Sequence, residues 1–318
     1  MLEKRYCCVA SQSCTAFASD AIRCVDFQAL TWSNRRDTSL SLLDQNSKAA
    51  GVPEGHTIHR LADDHNRDFA GQILLVSSPQ GRFVSGAQIL NGRQLVNVDA
   101  HGKHLLYDWD GKTLHIHLGL YGKFRRHKSP PPEPRGQVRL RVIGEDKAFD
   151  LNGPACCELL TRQKVKNLLD RLGVDPLRAD ADPEKAWKKI SRSRSPIGTL
   201  LLNQSVIAGV GNVYRSEVLY LLKIHPERRG STLTRTEFDQ LWKLVSDLLK
   251  IGRRYNRIII ADPEHVGKTR GRMNREERLL VYKKKFCVHC DAPIKTWKLA
   301  SRSVFACLIC QPVESGTG

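Results

Sequence analysis

The sequence predicts an α+β fold in which a β-rich half is followed by a helical half and a small metal-stapled hairpin. Three observations carry this. Between residues 72 and 144, short segments rich in β-branched and aromatic residues are punctuated by Gly, Asp and Asn. From about 160 to 262 the apolar residues recur at helical spacing. Four of the ten cysteines then fall as two C-x₂-C pairs, Cys287/Cys290 and Cys307/Cys310.

The elements follow in order. In "PEGHTIHRLADDHNRDFAG", Ile58, Leu61 and Ala62 repeat at helical spacing and Gly71 is a stop, so a first helix begins just after Gly55. The segments "QILLVSS", "RQLVNVDA", "KHLLYDWD", "TLHIHLGLYG" and "QVRLRVIG" read as strands, and "SPPPEPRG" reads as a surface loop because consecutive prolines cannot donate to a ladder. The run "ELLTRQKVKNLLDRLG" places Leu159, Leu160, Val165, Leu168, Leu169 and Leu172 on one apolar face and opens the helical half. Further on, "PIGTLLLNQSVIAGVGNVYRSEVLYLLKI" reads as helix, glycine-bearing turn, helix. Gly209 and Gly211 permit close backbone approach there, and Asn212 is expected as the N-cap of the second helix. Free N–H groups at that start can meet a phosphate, with the Asn212 amide beside them and Arg215 one turn on; glycine spacing alone equally allows an ordinary helical hairpin.

The expected domains are therefore an extension at 1–52, a β-rich domain at 53–159, a helical domain at 160–262, a charged connector or loop at 263–280, a four-cysteine module at 281–312 and a tail at 313–318. Residues 1–52 show no sustained period and are expected to be poorly ordered or a misplaced gene start. Residues 263–280 hold many charges and little apolar content, as a mobile connector would.

In the last module, sixteen residues separate the two C-x₂-C pairs. Two such knuckles can close four thiolates around one structural Zn²⁺ while Lys295–Trp297 and Ser303–Ala306 pair as a hairpin. Redox dithiols are the bland alternative, but nothing nearby resembles the βαβ unit they use.

The formal net charge is +18; residues 1–52 carry six Lys/Arg against five Asp/Glu, so 18 − 1 leaves +17 on residues 53–318. Such an excess suits a polyanionic partner, since neutralised phosphates release counterions. No apolar run approaches the roughly 20 residues of a membrane helix, so no membrane partner is expected. The chain reads as cytoplasmic, and nucleoid-associated in a bacterium.

"PEG" at a helix head, "GKHLL" in a β-rich half, "LNQSVIAGVGNVYRSE", and a four-cysteine finger ending "SRSVFACLICQ" together resemble the formamidopyrimidine-DNA glycosylase / endonuclease VIII family, and the resemblance spans residues 53–311. It implies a β-sandwich domain flanked by helices, a helix-two-turn-helix domain and a zinc-finger β-hairpin in a monomeric enzyme. It also implies damaged DNA as the partner, with base removal and strand cleavage as the reaction. The resemblance makes Pro53 the nucleophile, forming an imine at the deoxyribose C1′, and Glu54 the general acid on the sugar. Lys103 becomes the lysine that contacts phosphate and assists β-elimination. Arg302 becomes the finger arginine that grips phosphates and assists δ-elimination.

On the same resemblance Asn212 binds phosphate, and Leu120 and Tyr121 fill the gap left by an extruded base. The Leu-Tyr pair resembles the endonuclease VIII side, whose substrates are oxidised pyrimidines. "DLNGPACC" lacks the arginine-phenylalanine pair of the formamidopyrimidine type, Gly119 stands where a glutamine is common, Ser301 replaces a glycine and Thr57 a second early glutamate.

As written, Val52 acylates Pro53, and an amide nitrogen cannot attack a sugar. The enzyme reading expects Pro53 to be freed. If it stays internal, the alternative is a non-catalytic zinc-ribbon protein binding damaged or single-stranded DNA. A structural RNA-binding protein of the translation apparatus is a further reading.

Overall fold

The computed structural model of the protein describes residues 53–313; the expectations for 1–52, and for all but the first residue of the 313–318 tail, lie outside the described residues. The chain starts with helix α1 (Gly55–Phe69), whose inner face carries Ile58, Ala62 and Phe69. Nine strands with one interposed helix follow: β1 (Ile73–Ser77), α2 (Val84–Leu90), β2 (Arg93–Gln94), β3 (Asn97–His101), β4 (His104–Trp109), β5 (Lys112–His117), β6 (Lys123–Lys128), β7 (Val138–Ile143), β8 (Lys147–Asn152) and β9 (Cys156–Leu160).

They form two antiparallel sheets, ordered β2-β1-β7-β8-β6 and β3-β4-β5-β9. Leu74, Leu140 and Leu151 from the first meet Leu105, Tyr107, Leu114 and Ile116 from the second in one core, which Ile58 and Phe69 of α1 join. Alternation along β4 and β5 explains this, since every second side chain points inward. The prolines of "SPPPEPRG" lie in the β6–β7 connection, outside any ladder.

The helical half consists of α3 (Arg162–Arg171), α4 (Pro183–Ile190), α5 (Ile197–Leu200), α6 (Asn212–Leu221), α7 (Arg235–Tyr255) and α8 (Pro263–Val266). Its core gathers Ile190, Leu201, Ile207, Tyr214, Val218, Phe238 and Leu249. The 21-residue α7 is closed by local chemistry at both ends. Thr234 and Glu237 form a reciprocal capping box, and Asn256 takes the left-handed conformation at the C-terminus. The Arg253 guanidinium donates to the Asp63 carboxylate at 2.7 Å, tying α7 to α1.

The finger is the hairpin β10 (Lys295–Leu299) and β11 (Arg302–Ala306), with Leu299 paired to Arg302.

Three expectations are corrected. Leu159 and Leu160 belong to β9, paired with Leu114 and Thr113, and the helix starts only after the Thr161 cap. An apolar run that short does not distinguish strand from helix. Second, 263–280 is no open connector. It carries α8, buries Met273, and ends where the Glu217 carboxylate accepts the N–H groups of Leu280, Val281 and Tyr282. Third, Gly211 is the N-cap of α6 and Asn212 its first residue.

Candidate active site

The start of the described chain is pressed against the turn between α5 and α6. The Gly55 N–H donates to the Gly209 carbonyl at 2.8 Å. A Cβ on Gly55 would sit 2.8 Å from the Gly209 Cα, and Gly209 itself is at φ +93°. Only glycine at both places lets the two backbones approach so closely.

Glu54 is 2 % exposed. Its carboxylate accepts the Gly211 N–H at 2.9 Å on one oxygen and the Val213 N–H at 3.0 Å on the other. The cap of α6 is therefore supplied from 157 residues away. Burial raises the Glu54 pKa above the ordinary carboxylate value, while Lys103 and the N–H groups of Val213, Gly211 and Tyr214 pull it down. Burial prevails.

Lys103 leaves the β3–β4 turn half-buried, and its Nζ donates to the Val210 carbonyl at 2.8 Å. Burial lowers its pKa, Glu54 opposes this, and Arg302 reinforces it. Arg302 opens β11 and is exposed. Glu54 and Arg302, from two other parts of the chain, are thus both close enough to act on the ionisation of Lys103. Half-buried Pro53 precedes Glu54 directly.

Asn212 and Arg215 both reach the finger. The Asn212 amide donates to the Ser303 carbonyl at 2.9 Å, gripping β11. Arg215 is fully buried, and its guanidinium donates to the Leu299 carbonyl at 3.0 Å and to the Asn212 side chain. A buried guanidinium spent on the finger is a strut between α6 and the hairpin, so the phosphate contact expected of Arg215 is corrected. Leu120 and Tyr121 sit after β5, 52 % and 83 % exposed, as side chains free to enter another molecule.

Sequence reasoning missed Asp175. This buried carboxylate accepts from the Gly102 N–H at 2.6 Å and lies 2.7 Å from His59 Nε2, so it holds the turn bearing Lys103 against α1. Its partners are 73 and 116 residues away, and no local spacing betrays it. Gln204 was also given no role. Its side-chain oxygen accepts the Gly209 N–H at 3.0 Å and its amide donates to the Val210 carbonyl at 3.0 Å, shaping the turn that meets Gly55 and Lys103.

The four finger cysteines converge. Cys287 and Cys310 lie 3.7 Å apart, Cys290 and Cys307 3.5 Å, and Cys290 and Cys310 3.6 Å, sulfur to sulfur. A tetrahedral zinc with bonds near 2.3 Å spaces its sulfurs by about 3.75 Å, so the donor set fits that ion. The Tyr220 hydroxyl, 3.1 Å from the Cys287 sulfur, and the His289 N–H orient the first knuckle.

Comparison with known proteins agrees with this geometry. The family model of the formamidopyrimidine-DNA glycosylase N-terminal domain matches residues 52–152, and that of the formamidopyrimidine-DNA glycosylase H2TH domain matches 172–263. "Endonuclease 8 1" of Mycobacterium tuberculosis (strain ATCC 25618 / H37Rv) is 46 % identical over 267 residues, which are 82 % of this chain and 100 % of that protein. The formamidopyrimidine-DNA glycosylase of Lactococcus lactis subsp. lactis is 29 % identical over 270 residues, covering 82 % of this chain and 98 % of that protein.

Among solved structures, the Lactococcus lactis Fpg bound to abasic-site DNA has the same fold, with TM-score 0.69 and 24 % identity over 82 % of this chain and 100 % of its own. A complex of that protein with THF-DNA and an inhibitor aligns with TM-score 0.69 at 25 % identity over the same shares. Fold and site thus define a DNA-repair glycosylase with abasic-site lyase activity. The chain belongs to the formamidopyrimidine-DNA glycosylase / endonuclease VIII family.

Proposed function

We propose that the protein removes oxidised pyrimidines from DNA through an imine on Pro53 and then cleaves the strand by β,δ-elimination. The observation that carries this is the buried Glu54 carboxyl, adjacent to Pro53, with its pKa raised. A protonated acid beside an amine nucleophile is what glycosidic cleavage at a sugar needs.

In this reading the Pro53 amine attacks C1′, the C1′–base bond breaks, and Glu54 gives its proton to the sugar as the ring opens. The iminium then drains electrons from the C2′–H bond, so a base can take that proton and the 3′-phosphate leaves. Lys103, its pKa lowered, assists that step. Arg302 holds the phosphates through δ-elimination, and Asn212 lies beside them. Leu120 and Tyr121 take the place of the extruded base. Cys287, Cys290, Cys307 and Cys310 would hold one Zn²⁺, which fixes the hairpin bearing Arg302. The net charge of +17 on residues 53–318 supports a nucleic-acid partner, the likeness to structures bound to abasic-site DNA supports damaged DNA, and the similarity to an endonuclease 8 supports pyrimidine lesions. We further propose a monomeric, cytoplasmic protein, with the domain limits given above except at 160.

The test is borohydride trapping on abasic DNA by a chain beginning at Pro53, beside the full 318-residue chain. A covalent adduct from the first, and faster cleavage of oxidised-pyrimidine than of 8-oxoguanine duplex, is expected. DNA binding without any adduct would instead establish the non-catalytic reading, which the Val52–Pro53 peptide bond favours for the full chain.

A further inference from the structure

A second cluster of metal-ligating side chains lies on the outer face of the β3-β4-β5-β9 sheet, away from the core and apart from the finger. In the β5–β9 ladder, His115 stands opposite Glu158, and Cys156 stands opposite His117, one diagonal step from His115. Because paired residues and every second residue share a face, His115, Cys156 and Glu158 emerge together on the side opposite the core residues Leu114 and Ile116.

We propose that His115, Cys156 and Glu158 form a second Zn²⁺ site, binding one ion through His115 Nδ1, Cys156 Sγ and a Glu158 carboxylate oxygen. The separations are 3.1 Å from His115 Nδ1 to Glu158 Oε1, 3.1 Å from Cys156 Sγ to the same oxygen, and 3.6 Å from Sγ to Nδ1. Tetrahedral zinc with bonds of about 2.0, 2.1 and 2.3 Å to O, N and S sets those edges at about 3.3 to 3.6 Å. The side chains already stand within a few tenths of an ångström of a coordination face.

The tautomer is also prepared. His115 Nε2 lies 2.8 Å from His104 Nδ1, so a ring that donates Nε2–H there presents an unprotonated Nδ1 to the ion. His115 is nearly enclosed, with a side chain 5 % exposed, whereas Glu158 is 49 % exposed. That leaves an entry path and room for water as the fourth ligand. One nitrogen, one thiolate and one carboxylate suit borderline-soft Zn²⁺ rather than Mg²⁺ or Ca²⁺. Binding expels the Cys156 thiol proton to solvent, because only the thiolate ligates. The ion would cross-link β5 to β9.

The test is Zn²⁺ stoichiometry, by metal analysis and calorimetric titration, of the full-length protein and of its Cys156→Ala and Glu158→Ala variants. Wild type is expected to bind one equivalent more than either variant, and saturating Zn²⁺ is expected to raise its Tm by an increment the variants lack. Glu158→Ala alters a half-exposed side chain, so it serves as the variant that folds, with far-UV circular dichroism as the check. Equal stoichiometry in all three proteins overturns the site, as does a second equivalent that persists in both variants.

Discussion

The Glu54 carboxylate caps helix α6 by accepting the Gly211 N–H at 2.9 Å, so the proposed acid and the helical half are joined by one side chain. A Cβ on Gly211 would fall 2.3 Å from the Glu54 carboxyl carbon, which makes this cap specific to glycine. Glu54→Gln therefore keeps one acceptor, loses the proton donor, and costs about 1 kcal/mol of stability as a weakened cap. Excision of a damaged base is expected to fall by about 10²-fold or more. Cleavage at a preformed abasic site, whose sugar already opens to an aldehyde, falls less. Parallel assays on lesion and abasic duplexes check this, and equal losses on both would remove the acid role.

The pH dependence of excision follows from the same carboxyl. Its pKa is raised, burial being the cause, and the acid form is the working one. Excision should decline as pH rises through that raised value, while protonation of the Pro53 amine sets a separate limb on the acid side. Glu54→Gln should lack the alkaline limb in a pH–rate profile at saturating DNA.

Glu217 gives a stability counterpart. Burial pushes its pKa up to about 7, against the N–H groups of Tyr282, Leu280 and Val281 and the charge of Lys284. The folded value lies above the unfolded 4.5, so the linked stability is fully present below about pH 4.5 and is lost as pH rises through 7. Roughly 2 to 4 kcal/mol is at stake at one kcal-scale step per pKa unit. The Tm of wild type should fall relative to that of Glu217→Gln from pH 5 to pH 8; a constant difference would show that Glu217 does not change protonation over that range.

The sheets, the finger and the turn before α6 were legible because each repeats a local rule: alternation, C-x₂-C spacing, glycines in a tight turn. The strand β6 was not, since "KFRRHK" has one apolar residue and lies at a sheet edge where pairing, not burial, makes it a strand. Arg215 was seen as chemistry but misread in direction, because which face of α6 meets the finger depends on a hairpin some 84 residues later. Asp175 illustrates the remainder. Its role exists only once α1, the β3–β4 turn and the start of the helical half are assembled.

The hairpin turn carries a correctable strain. Ala300 and Ser301 both sit at positive φ, 53° and 59°, between Leu299 and Arg302. A two-residue turn of this hand favours Asn-Gly. Ala300→Asn with Ser301→Gly is expected to stabilise the finger by about 1 kcal/mol. Slower zinc loss to a chelator would report it, and an unchanged rate would mean the turn does not limit finger opening.

Tyr121 and Leu120 project from the turn after β5, and Tyr121 is 83 % exposed in the protein alone. A side chain with so little contact contributes little to folding, so Tyr121→Ala should change stability by less than about 0.5 kcal/mol. Its proposed work arises only when a base leaves the duplex and the vacated stack needs an apolar filling, worth about 1 to 3 kcal/mol per stacked base. The substitution should therefore weaken binding to lesion-bearing duplex by roughly 5- to 100-fold and leave binding to undamaged duplex nearly unchanged. Fluorescence anisotropy on the two duplexes separates these effects, and equal weakening on both would make Tyr121 a general DNA contact instead of a wedge.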